Sequence, residues 1–146
     1  MENYTAKVYY DGRFKLISEL YNSREELIGY FSLNFYDQYQ LEVDICEEYQ
    51  GRGLSKVLLN NFAIYLLNCK KGDKYILFDS NTPRILNDYD ILAIDSDASE
   101  NSNGKSWWSK IGMIENRYYD RKNPNISYKG YEKIITLGDL LKNIRQ

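Results

Sequence analysis

A chain of 146 residues, 43% hydrophobic and 27% charged, has the length and composition of one globular domain with a buried core. Its formal net charge of −2 argues against a nucleic-acid-binding protein and against electrostatic attachment to a membrane. The sequence contains no histidine, which excludes a Ser-His-Asp triad, a Cys-His pair and a histidine-ligated zinc site.

The first part of the chain predicts four strands. Short runs rich in aromatic and β-branched residues are typical of strands, and Asp11-Gly12 and Asn22-Ser23 are turn signals between them. The four predicted strands are 4–10, 14–21, 27–36 and 41–46.

A helix is predicted over about 55–69, because apolar residues repeat there at helical spacing. Lys70-Lys71-Gly72 supplies basic residues and a glycine that we expect to end this helix. Thr82-Pro83 marks a helix start or a turn. The remaining predicted elements are strands at 75–79, 91–95, 113–119 and 131–137 and a short helix at 104–111.

This order is a run of strands followed by helix, strand, helix and strands. It favours an α/β or α+β mixed sheet, in a single domain spanning 1–146, over a β-sandwich. Cys46 and Cys69 lie far apart without metal-ligand spacing, so a reduced, cytoplasmic setting is the simplest interpretation. No long apolar run and no signal-peptide pattern is found, and we expect no membrane partner.

The segment between the fourth strand and the helix carries the most specific signal. It reads QGRGLS at 50–55. Glycines let the backbone approach a ligand, and free N–H groups at a helix start attract an anion, so the ligand should carry phosphate. The Walker pattern Gly-x-x-x-x-Gly-Lys-Ser/Thr does not fit, and Lys56 stands where a Gly-x-Gly-x-x-Gly loop needs its last glycine.

This strand–loop–helix segment resembles motif A of the GNAT superfamily of acetyl-CoA-dependent N-acetyltransferases. The family's loop reads Gln/Arg-x-x-Gly-x-Gly/Ala, and Ser55 replaces its final small residue. The segment NSNGKSWWSKIGM at 101–113 resembles the family's later helix, Asn-x-x-Ala-x-x-φ-Tyr-x-x-φ-Gly-Phe, where φ is apolar. The residues that fit this second pattern are Asn101, Trp107, Ile111, Gly112 and Met113. Together with the strand pattern, the resemblance covers about 25–137.

The resemblance implies a central mixed sheet, splayed near its fourth and fifth strands, with flanking helices. It also implies acetyl-CoA as co-substrate and direct transfer of the acetyl group to a primary amine, without an acyl-enzyme. The residues that the two motifs place at the cofactor are Asp44, Ile45, Cys46, Gln50, Gly51, Arg52, Gly53, Leu54, Ser55, Asn101 and Trp108.

Several of these residues also have a purely structural interpretation. Arg52 is either a phosphate contact or a solvated side chain, and its backbone N–H is the better candidate for the contact. Ser55 either contacts the cofactor or caps or starts the helix, and Asn101 is either a cofactor contact or a helix cap.

Two departures from the family pattern affect the expected chemistry. The tyrosine that often acts as general acid corresponds to Trp108, whose indole cannot protonate a thiolate. Tyr118 or Tyr119, on the next predicted strand, is the replacement that we consider, with Tyr119 first; packing is the alternative role for each. The family's two helices between its first strands are shortened or absent, because Asp11-Gly12 makes a tight turn. The acceptor site should therefore be more open, or walled by 72–100.

The candidate general base lies on the fourth strand. Glu42, Asp44 and Cys46 share one strand face, because side chains alternate with period two. In the GNAT family a carboxylate on this strand commonly removes the amine's proton; Glu42 is the first choice and Asp44 the second. A solvated edge carboxylate is the alternative for each. Cys46 is predicted to be a packing residue and not a nucleophile.

The motifs do not identify the acceptor. Carboxylates near the expected cleft favour a cationic one: a polyamine, a lysine side chain or a protein N-terminus. These carboxylates are Glu42, Asp44, Glu47, Glu48, Asp95 and Asp97. A non-catalytic acetyl-CoA- or CoA-binding module is the alternative, supported by Trp108 and the shortened N-terminal region. A homodimer is also considered.

Overall fold

A computed structural model of the chain describes residues 3–36, 38–78, 83–94, 108, 111–118 and 130–144. Contacts divide the chain into two compact units, Met1–Asp88 and Tyr89–Gln146. None of the described helices is long and apolar enough to cross a membrane. The expected single domain and the expected splay between strands depend on how the two units meet, and both stay predictions.

The first unit is built on a four-stranded antiparallel sheet in which strands adjacent in the chain pair with each other. The four strands predicted from the sequence are confirmed, with ends that differ by a few residues. They are β1 (Thr5–Tyr10), β2 (Lys15–Tyr21), β3 (Leu27–Asn34) and β4 (Gln40–Ile45).

The turn between β1 and β2 is organised by one carboxylate. Asp11 Oδ1 accepts backbone N–H bonds from Arg13, Phe14 and Lys15 at 2.8, 2.9 and 3.0 Å. Partial burial acts to raise the pKa of the Asp11 carboxyl, but these N–H bonds outweigh it and hold the pKa below its usual value. Only four residues connect the two strands, which confirms that the family's helices are absent at this place.

The core of the first unit lies between this sheet and helix α1 (Leu54–Asn68), which confirms the predicted helix with a shift of one residue. The Phe31 and Phe62 rings meet edge to face with centroids 4.8 Å apart. The buried Ser18 hydroxyl donates to the Leu58 carbonyl at 2.8 Å. The α1 side chains that form this core are Leu54, Leu58, Leu59, Phe62, Ala63 and Leu66.

The prediction that Lys70-Lys71-Gly72 ends the helix is wrong. The helix ends at Asn68, and the two lysines form a short strand, β5 (Lys70–Lys71). Its neighbours in a second antiparallel sheet are β6 (Lys74–Leu77) and β7 (Arg84–Asn87). Gly72, with φ of 64°, makes the turn between β5 and β6. The predicted strand at 75–79 corresponds to β6. The strand β7 was not predicted, because Thr82-Pro83 indicated only a helix start or a turn at this place.

The second unit contains strands β8 (Ile91–Ile94), β9 (Ile114–Tyr118) and β10 (Gly130–Thr136) and helix α2 (Leu137–Ile144). The strand β10 pairs antiparallel with both β8 and β9. These strands confirm the three predicted in this region. The helix α2 was not predicted; it buries Leu137, Leu140 and Leu141, and it begins where the last predicted strand was expected to end.

Candidate cofactor and catalytic site

The loop between β4 and α1 contains two glycines in the left-handed region. Gly51 has a φ of 80° and Gly53 a φ of 75°. A Cβ built at either position meets no atom within 4 Å, so the backbone conformation, and not a lack of space, calls for glycine. Gly53 is the N-cap of α1 and gives the helix no side-chain cap.

The N-terminus of α1 therefore has no capping side chain, and no acidic residue lies in its first turn. The first N–H groups of any helix lack partners within the helix, and the helix dipole adds partial positive charge there. Such an end suits a phosphate. Ser55 lies inside the first turn, so it belongs to the start of the helix and does not cap it. The N-cap position of α1 is occupied by Gly53.

Two other loop side chains hold the loop itself together. Gln50 donates from Nε2 to the Ile45 carbonyl at 3.0 Å. Arg52 donates from Nη2 to the Glu48 carbonyl at 3.1 Å, and its guanidinium lies 5.0 Å from the centre of the Tyr49 ring. Arg52 is exposed, in agreement with a solvated side chain, and it also contacts the residues just before the loop. The Gln50 contact ties the loop to the end of β4, and the Arg52 contacts tie it to the turn (Glu47–Tyr49) that precedes it.

The strand β4 presents its two carboxylates on the face away from α1. Glu42 and Asp44 are exposed, whereas Leu41 is buried on the opposite face. Their shared face, predicted from alternation, is confirmed. Cys46 was predicted to pack, and this is wrong: it is exposed, with its Sγ 3.8 Å from the Leu27 carbonyl oxygen.

Glu42 is held by two side chains of the neighbouring strand β3. The Asn34 amide donates from Nδ2 to Oε1 at 2.9 Å, and the Tyr30 hydroxyl donates to Oε2 at 3.4 Å. Burial raises the pKa of Tyr30, and the charges of Glu42 and Asp44 raise it further, so the phenol stays protonated and remains a donor. Ser32 stands directly opposite Glu42; its hydroxyl is buried and has no hydrogen-bond partner among the described residues.

Sequence reasoning did not identify Asn34 and Tyr30. They reach Glu42 because the β3–β4 register places Ser32 opposite Glu42 and Tyr30 opposite Asp44. In the exposed Glu42 carboxylate, Oε1 is fixed by the Asn34 amide, whereas Oε2 is held less tightly by the Tyr30 hydroxyl. Such a group can accept a proton from an approaching amine.

The second motif is only partly described. Trp108 is 2% exposed, and its carbonyl accepts the Met113 N–H at 3.2 Å. Trp108 is helical, as predicted, whereas Ile111 already lies in a turn. Asn101, Tyr119 and most of the predicted helix at 104–111 lie outside the described residues.

No model of a known protein family matches the sequence. No curated protein sequence matches it either.

Solved structures do match. A mutant form of the spermidine/spermine N-acetyltransferase SpeG from Vibrio cholerae has a TM-score of 0.53 at 16% identity, over 90% of this chain and 70% of that one. A spermidine N-acetyltransferase from the same organism, in complex with CoA and spermine, has a TM-score of 0.51 at 16% identity, over 88% and 69%. A protein assigned only by inference as an acetyltransferase, from Acinetobacter baylyi ADP1, has a TM-score of 0.51 at 17% identity, over 84% and 64%.

The chain therefore has the mixed α/β fold of GNAT-type acetyltransferases. The resemblance implied by the loop at 50–55 and by the segment at 101–113 is confirmed at the level of the fold. The chain spans about two thirds of the length of these structures. At such low identity the likeness establishes the architecture alone.

Proposed function

We propose that this chain is an acetyl-CoA-dependent N-acetyltransferase that moves the acetyl group directly to a primary amine of a cationic acceptor. The observation that carries the proposal is the position of the loop between β4 and α1. It joins a strand bearing two exposed carboxylates to a helix start with no capping side chain, through two left-handed glycines. Anion binding and proton removal would thus be supplied by adjacent segments.

The cofactor's pyrophosphate would bind to backbone N–H groups of the loop from Gly51 to Ser55. The pantetheine arm would run along the end of β4. The Cys46 N–H already donates to the Ile28 carbonyl at 2.9 Å. Because bonding alternates along an antiparallel pair, the Ile45 N–H points away from β3. It is our candidate donor for polarising the thioester carbonyl.

Glu42 is the proposed general base. Its Oε1 accepts a hydrogen bond from the Asn34 amide, which holds the carboxylate in one orientation on the exposed face of β4. An ammonium acceptor attracted to this face would lose its proton to Oε2, directly or through one water, before attack on the thioester. Holding amine and thioester together would supply much of the acceleration.

A cationic acceptor fits the charges that surround the loop. Glu42, Asp44, Glu47 and Glu48 are all exposed along this one segment. The spermidine N-acetyltransferase of similar fold forms a complex with CoA and spermine, which supports a polyamine as the first acceptor to test. A lysine side chain and a protein N-terminus are the other two.

A thiol-release assay with a graded set of amines tests the proposal. We expect kcat/KM to rise from butylamine to spermidine to spermine, as the positive charge rises, and to fall with added salt. Equal rates across the series would contradict the cationic acceptor. Bound acetyl-CoA without turnover on any amine would favour the alternative, a CoA-binding module, for which Trp108 at the family's tyrosine position is the supporting feature.

A further inference from the structure

A cleft lies in the first unit, at the end of the sheet where β4 begins. It has a volume of roughly 340 Å³, at the small end of the range for ligand pockets. Its walls come from the β1–β2 turn, from Tyr39 just before β4 and from the start of β7. Since β4 has six residues, the cleft is about 20 Å along the strand from the glycine loop. It is therefore separate from the proposed cofactor site.

One wall of this cleft is a rigidly held arginine. The Arg84 guanidinium stacks on the Phe35 ring, 4.4 Å from its centre. Its Nη2 donates to the Arg13 carbonyl at 3.0 Å, and its Nε donates to the Tyr10 hydroxyl at 3.4 Å. Phe35 is itself packed edge to face against Tyr10 and Tyr39, with centroids 6.1 and 5.5 Å away. The guanidinium is thus fixed before any ligand arrives.

Two positively charged side chains line this cleft. Arg13 and Arg84 both lie in its wall, and none of the described residues that line it is acidic. Asp11 lies in sequence between the lining residues Tyr10 and Gly12, and its Oδ1 accepts the N–H bonds that hold the β1–β2 turn. Within the described ranges no carboxylate pairs with Arg84, whose partners there are a ring, a carbonyl and a hydroxyl. A half-buried guanidinium with only neutral partners favours an anionic ligand.

The rest of the lining is flat or apolar. Tyr10 and Tyr39 contribute rings, and Pro83 and Ile85 form an apolar rim. Ile85 is 53% exposed and presents apolar surface at the rim. A ligand with a planar body would cover it.

We propose that this cleft binds a small anion carried on a planar unsaturated ring, such as an aromatic carboxylate. The carboxylate would accept hydrogen bonds from the remaining N–H groups of Arg84 and be attracted by Arg13. The ring would lie against Tyr39 and Ile85. This site goes beyond the proposed acetyl transfer and does not depend on it.

The test is a titration of the intact chain with benzoate, followed by NMR of the backbone amides. Benzamide is the control ligand, since it has nearly the same shape and no charge. We expect benzoate to shift the amide signals of Tyr39 and Ile85 and to bind at least about tenfold more tightly than benzamide. Arg84→Gln should weaken benzoate binding about ten- to a hundredfold, and Arg13→Gln should weaken it less.

Arg24→Gln is the matched control variant, because Arg24 is an exposed arginine on the β2–β3 turn. It should leave benzoate affinity unchanged. If Arg84→Gln does not fold, Arg13→Gln and the comparison with benzamide still decide the matter. Equal binding of benzoate and benzamide, equal loss in Arg24→Gln and Arg13→Gln, or no shift at millimolar benzoate would each overturn the proposal. Inorganic phosphate binding as tightly as benzoate would overturn the planar ring.

Discussion

Replacing Gly53 with valine should weaken acetyl-CoA binding while leaving the protein folded. Gly53 caps α1 at φ of 75° and ψ of 16°, in the left-handed region. A residue with a Cβ pays about 1–2 kcal/mol there. The new Cβ meets no atom within 4 Å, so no steric clash adds to this cost. Against a typical total of about 5–15 kcal/mol, the variant stays folded.

The effect on affinity follows from the same strain. If valine moves the loop out of the left-handed conformation, binding has to restore it at a cost of about 1–2 kcal/mol. That cost raises the dissociation constant of acetyl-CoA about 5- to 30-fold. Calorimetric titration measures the affinity, and urea denaturation measures the stability.

Gly72→Val is the control for this experiment. Gly72 has φ of 64° in the β5–β6 turn, and a Cβ there also meets no atom within 4 Å. This variant should lose about the same stability as Gly53→Val and keep full affinity for acetyl-CoA. Asparagine tolerates the left-handed region, so Gly53→Asn should keep most of the affinity. Unchanged affinity in a folded Gly53→Val protein would refute the assignment of the loop.

Three further predictions concern the base, the buried indole and the first turn. Glu42→Gln should keep cofactor affinity and lower turnover by about 10²- to 10⁴-fold; if Asp44→Asn does this and Glu42→Gln is silent, Asp44 is the base. Trp108→Ala should lower the free energy of unfolding, measured by urea denaturation, by about 3–5 kcal/mol, because the side chain is 2% exposed. Trp108→Tyr should retain turnover. A folded Trp108→Tyr protein with far lower turnover would show that the indole shapes the acceptor site. Because the folded-state pKa of Asp11 is lowered, its ionised form stabilises the fold above the unfolded pKa of about 3.9, and this contribution is lost as pH falls through the lower, folded pKa. The stability difference between the parent and Asp11→Asn should therefore shrink below about pH 4, and a difference constant with pH would contradict this role.

Local sequence signals were sufficient for most of the fold. The strands β1 to β4 have apolar patterns bounded by turn residues, and the Asp11 turn is formed by the residues that signalled it. The helix α1 has one long apolar face. In each case the determining contacts are close along the chain or follow from a simple periodicity.

The missed elements depend on weaker or distant signals. The strand β7 has four residues and forms because it pairs with β6. The helix α2 follows β10 without a break, and the predicted strand at 131–137 includes its first residue, Leu137. Its start nevertheless carries a capping signal: the Thr136 hydroxyl accepts the Asp139 N–H at 3.2 Å.

Only part of the candidate site could likewise be predicted from the sequence. The glycine loop could be predicted because its residues are consecutive and their conformations follow from their identity. The hydrogen bonds from Asn34 and Tyr30 to Glu42 could not be predicted, because they depend on the register between β3 and β4. A shift of one residue would turn these side chains to the other face of the sheet. Sequence patterns predict strands more readily than they predict which residues face each other.

Native mass spectrometry of the purified chain with acetyl-CoA, and with ATP in a parallel sample, tests the central proposal most directly. Both ligands carry an adenine nucleotide and phosphates, but only acetyl-CoA has a pantetheine arm, which in the proposed binding mode runs along the end of β4. We expect one acetyl-CoA per chain, retained in preference to ATP. Retention of ATP with no acetyl-CoA complex would contradict both the proposed acetyl transfer and the alternative of a CoA-binding module.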